Sequence, residues 1–92
     1  MNRLEQTILK NLIYNDEYAR KVLPFIRPDY FSDNAEKLVF KEVFDFIDKY
    51  KNLPTHEALV INFTEKKTLT EPDVKSSIEL LNDIHTHKDE PS

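Results

Sequence analysis

Apolar residues recur at helical spacing along almost the whole chain. Leu4, Ile8 and Leu12, with Leu9 and Ile13, form one apolar face ending near Tyr14, and Asn2-Arg3-Leu4-Glu5 before it has the form of a capping box. Asn15-Asp16 is expected to close this helix and cap the next, with Asn15 in the left-handed region that glycine would otherwise occupy. From about Glu17 a second face presents Tyr18, Ala19, Val22, Phe25 and Ile26, but Pro24 should end or kink that helix near Leu23. Asp33-Asn34-Ala35-Glu36 is a second capping box and opens the longest predicted helix, reaching about Lys51. On it Val39, Phe40, Val43, Phe44, Phe46, Ile47 and Tyr50 cover an arc of roughly 160°, too wide for one neighbouring element. Asn52 offers a left-handed stop. Thr55 should cap a fourth helix to about Lys66, with Leu59 and Phe63 as its buried pair. Thr70-Glu71-Pro72-Asp73 then starts a fifth, carrying Val74, Ser77, Ile78, Leu80, Leu81 and Ile84.

These elements predict an all-α fold: a compact bundle of about five to six short helices around one long central helix. Its core is expected to include Leu12, Phe31, Val39, Phe40, Val43 and Ile47. A head over residues 1–84 should precede a polar, frayed tail over 85–92. Within this pattern "FIRPDYFSDN", Phe25 to Asn34, puts three aromatics into a turn. A 3₁₀ turn over Pro28 to Phe31 would aim Tyr30 and Phe31 inward and leave Asp29 in water, so that Phe25, Tyr30 and Phe31 plug one end of the core.

Composition narrows the function. Ninety-two residues make one domain with a single modest core. The chain has no glycine, where an average one of this length carries about six. That excludes a P-loop, a dinucleotide-binding glycine loop and a nucleophile elbow. It has no cysteine, so disulfide and thiolate chemistry are absent, which fits a reducing compartment. No segment approaches the ~18 apolar residues of a membrane span. The net charge is −4 and the Lys and Arg residues are scattered, so no direct nucleic-acid site is expected.

Candidate chemistry is sparse. Glu36, Glu42, Asp45 and Asp48 read as a solvated helix face, with Asp45 pairing Lys49 and Lys41 at i, i+4. His85 and His87 lack further fixed ligands for a metal, and His56 is expected to be exposed or lightly packed. The Ser and Thr residues read as caps or surface positions. No catalytic, cofactor-binding or metal-binding residue is assigned. A partner surface remains: Lys37, Leu38, Lys41, Phe44 and Phe46 are its candidates from helix-face geometry.

With the helices placed, "LEQTILKNLIYND" at Leu4–Asp16 resembles the opening of DnaB-type replicative DNA helicases. "LPFIRPDYFSDNAEKLVFKEVFDFIDKY" is similar to the family's next segment: an acidic residue, paired aromatics, then a helix with an apolar-Phe step, here Val39-Phe40. "LPTHEAL" at Leu53–Leu59 resembles the T-even-type phage branch, as does the lack of Gly at Lys10 and Asn11. The likeness spans about Leu4 to Ile84, and its ordered series is more specific than any one piece. It implies the amino-terminal head of a hexameric, ATP-driven helicase, with the ATPase core and the helical hairpin after the head both missing. Such heads form a collar by self-association and help dock primase, and in some systems a loader. ATP and Mg would belong to the missing domain, and the fragment itself would have no ATPase or unwinding activity. The location implied is cytoplasmic, in a bacterial host if phage-encoded. A stand-alone helical adaptor is the alternative. A helix-turn-helix DNA binder is disfavoured because no helix carries a basic face.

Overall fold

The structure, a computed structural model, describes residues 3–89. Five α-helices fill them: α1 (Arg3–Tyr14), α2 (Asp16–Val22), α3 (Asn34–Tyr50), α4 (His56–Glu65) and α5 (Glu71–Thr86). Two 3₁₀ turns, Leu23–Phe25 and Pro28–Tyr30, form a corner between α2 and α3. There is no strand among the described residues, and no helix is long and apolar enough to cross a membrane.

Side chains set the helix starts. The oxygens of Asn15, Asp33, Thr55 and Thr70 each accept from the backbone N–H three residues on. At α3 the box closes, because Glu36 Oε1 accepts in turn from the Asp33 N–H. The box expected at Asn2 lies outside the described residues. Two stops differ from expectation. Asn15 is extended (φ −122°), since its side chain is already committed to capping α2. The left-handed position after α3 falls on Lys51 (φ 59°), one residue before Asn52. Its N–H reaches the Ile47 carbonyl and so satisfies the helix end despite the Cβ.

α1, α3 and α5 touch one another, α4 lies on α5, and α2 lies on α1. The core between them contains Leu12, Phe31, Val39, Phe40 and Val43 as well as Leu9, Leu59, Phe63, Leu81 and Ile84. α5 has 16 residues and α3 has 17, so the long central helix has a partner of nearly its own length. Ile47 is only half-buried: it faces an open cleft of about 310 Å³ shared with Leu23, Pro24 and Leu53.

The plug is one residue. Phe31 is buried against Phe40, whereas Phe25 is 75% and Tyr30 59% exposed. The Pro28–Tyr30 turn forms as expected, but the chain leaves it extended at Phe31, which turns that ring inward and leaves Tyr30 in water. His85 belongs to α5, beyond the boundary drawn at residue 84. Its Nδ1 lies 2.7 Å from the Tyr14 hydroxyl, and its ring stacks on His56 at 4.3 Å. Gln6 also donates to Asp83 at 2.7 Å, so the end of α5 is tied to α1.

Two outcomes follow for stability. Phe31→Ala should cost about 3–5 kcal/mol in denaturant unfolding and Tyr30→Ala under about 1 kcal/mol. Lys51→Gly should stabilise by about 0.5–1 kcal/mol by relieving the left-handed backbone, since the Lys51–Asp48 pair it removes is exposed and long at 3.9 Å.

Candidate protein-docking groove

Pro28 forces the residue before it out of the helical region, and Arg27 is accordingly extended (φ −120°, ψ 152°). Ile26 is extended as well, so the corner between its two turns runs as a short strap beside α3. A groove of about 320 Å³ separates them. Ile26 and Pro28 form one wall, Phe44 the other, and Phe40 lies at the base, with Arg27, Lys41 and Asp45 at the rim. The rings of Phe31, Phe40 and Phe44 step from core to surface, at 5.4 and 6.2 Å between successive centroids. Phe44 is 40% exposed, and the strap carries exposed Phe25 and Tyr30 on its two turns. Arg27 and Lys41 form no ion pair among the described residues. An aromatic surface with unpaired cations beside it is suited to gripping another protein.

The structure divides the five sequence-predicted interface residues. Lys41 and Phe44 line this groove. Phe46 lines a different cleft, between α3 and α4. Lys37 and Leu38 line neither, and Leu38 packs against the core because α3 is contacted from several sides. Sequence reasoning missed Ile26, Arg27 and Pro28. The signal was present in the two prolines that bracket an otherwise helical apolar pattern.

The supposedly solvated acidic face is also divided. Asp45 and Asp48 are exposed, but Glu36 and Glu42 are buried. The expected pairs of Asp45 with Lys49 and Lys41 are absent among the described residues, and the Lys49 ammonium sits 5.1 Å from the Tyr50 ring centre instead. Glu36 meets Glu5 of α1 where the corner joins α3. Glu5 on α1 accepts from the Ser32 N–H (3.2 Å) and hydroxyl (3.1 Å), holding the residue after Phe31. Glu36 lies against Glu5, and its Oε2 is buried with no donor facing it. Two carboxylates cannot bond each other; a proton on Glu36 makes it the donor. Burial, then the hydrogen bond and charge of Glu5, push the Glu36 carboxyl up to about 7. The bond from Glu36, with help from Ser32, holds Glu5 below its ordinary value.

No group of three metal-ligating side chains is close enough to hold an ion among the described residues. Comparison of the chain with protein-family models, curated proteins and solved structures finds no match.

The carboxyl pair makes stability depend on pH. Between about 4.5 and about 7 the folded protein keeps on Glu36 a proton that the unfolded chain releases, so stability should fall as pH rises through that window. Glu5 acts oppositely, its contribution being lost as pH falls below its ordinary range. Glu36→Gln should raise the Tm by several degrees at pH 8 and hardly change it at pH 5, as thermal melts across pH will show.

Proposed function

We propose that this chain is a protein-docking and assembly domain that performs no reaction itself. In this reading it is the amino-terminal head of a phage replicative DNA helicase of the DnaB type. The observation that carries the docking role is the groove between the strap and α3, with exposed Phe44 and unpaired Arg27 and Lys41 on an otherwise acidic domain. The helicase assignment is supported by the ordered sequence likeness from Leu4 to Ile84. The head would self-associate in the collar of the hexamer and engage primase or loader, in the host cytoplasm. ATP, Mg and the unwinding step would belong to the parent's ATPase domain. The net charge of −4 supports that division, since DNA is better held by another domain.

The test titrates the ¹⁵N-labelled protein with the primase and loader encoded by the same genome. One of them should perturb amides of Ile26–Pro28 and Lys41–Asp45. Phe44→Ala should weaken that complex about tenfold or more while shifting the Tm little. Binding of neither protein would remove the replication reading, and perturbation elsewhere would remove the groove. In the gene, a downstream G-x-x-x-x-G-K-[ST] motif would support the helicase parent; a stop near codon 92 would leave a free-standing adaptor.

A further inference from the structure

The cleft between α3 and α4, apart from the docking groove, has an unusual base. It is a hollow of about 270 Å³ bounded by Glu42, Phe46 and Tyr50 of α3 and by Asn62 and Lys66. The Glu42 side chain is only 7% exposed, and a carboxylate so buried needs a cation and hydrogen-bond donors. Asn62 supplies one donor, to Oε2 at 3.2 Å. The cation is Lys66, whose ammonium lies 2.8 Å from Oε1. That contact is an ion pair by distance and does not have a hydrogen bond's geometry, so Oε1 has no hydrogen-bond donor. Lys66 is also a poor fixture. It lies just beyond α4, at the start of the connection to α5, and its side chain is 36% exposed. Beside it Phe46 and Tyr50 pack with ring centres 4.6 Å apart, and Lys49 already places a cation 5.1 Å from the Tyr50 ring centre.

We propose that this cleft receives an arginine side chain from a basic segment of a partner protein, and that Lys66 is an internal plug which the arginine displaces. The chemistry favours the exchange. A guanidinium presents a planar fork that can donate to both oxygens of Glu42, where the ammonium serves as a point charge at one. The same plane stacks on aromatic rings, which Tyr50 and Phe46 provide. Asp45, Glu65 and Lys49 line the mouth, where the two carboxylates outnumber the one ammonium, and the net charge of −4 draws a basic segment towards the domain. The inference does not depend on the helicase reading or on the strap groove.

The probe is an acetylated, amidated Gly-Ser-Arg-Ser-Gly peptide, with its citrulline counterpart as the uncharged control, followed by NMR. The arginine peptide should shift the Asn62 side-chain amide and the Tyr50 ring signals, and the citrulline peptide should not. Glu42→Gln should weaken binding at least tenfold, and Tyr50→Ala several-fold. Lys66→Ala should tighten it several-fold by removing the plug. Lys67→Ala, which removes the same charge from an exposed neighbour, should change it less than twofold. Equal responses of the two lysine variants would reduce the effect to net charge and overturn the proposal. So would equal binding of the citrulline peptide, or an absence of shifts at Asn62 and Tyr50. Tyr50 is 51% exposed, so its variant keeps the test decisive if those at the buried pair do not fold.

Discussion

The structure depends on the burial of Phe40. Its ring is 2% exposed and touches Phe31 on one side and Phe44 on the other. Phe40 lies in an apolar arc on α3 that one neighbour cannot cover, so α1, α5 and the Pro28–Tyr30 turn all close on that helix. The contact with Phe31 fixes where the corner returns to the core. That return leaves Ile26–Pro28 standing off α3 as a strap, and Phe44 becomes the far wall of the space between. One packed ring therefore connects core, corner and docking groove.

Two buried carboxylates on α3 show how the same problem is solved in different ways. Glu36 has another acid as its neighbour, and a proton held on Glu36 and donated to Glu5 removes the conflict below about pH 7. Glu42 has Asn62 and the Lys66 ammonium, so a cation can answer its charge. The first arrangement ties Ser32 and the α3 N-terminus to α1. The second spans α3 and α4 through polar side chains beside an open cleft. Each is costly to leave unsatisfied, and Glu42 lines an open cleft.

Local chemistry was the most legible part of the fold. The caps at Asn15, Asp33, Thr55 and Thr70 need only a short side-chain oxygen and the backbone N–H three residues on, and all are visible in the sequence. The lack of glycine did not prevent a left-handed helix end, which falls on Lys51, whose N–H reaches the Ile47 carbonyl. The candidate site was less legible. Lys41 and Phe44 were found because they share an exposed side of one helix. The opposite wall was missed because Ile26, Arg27 and Pro28 come from another element. Leu38 and Phe46 were grouped with them by projection, although neighbouring helices place them on separate surfaces.

The amino-acid sequence by itself determined that the domain is all-helical, where α2, α3, α4 and α5 begin, and that Phe40 and Val43 belong inside. Periodicity and capping act within a few residues, so they can be read along the chain. Phe31 also belongs to the core expected from the sequence, but only the tertiary structure decided that Phe25 and Tyr30 remain in water beside it. It alone set Glu5 against Glu36, Lys66 against Glu42, and the strap beside Phe44. Those contacts join residues far apart in the chain, and their energies depend on which charges and surfaces lose water together, a property of packing that no local pattern encodes.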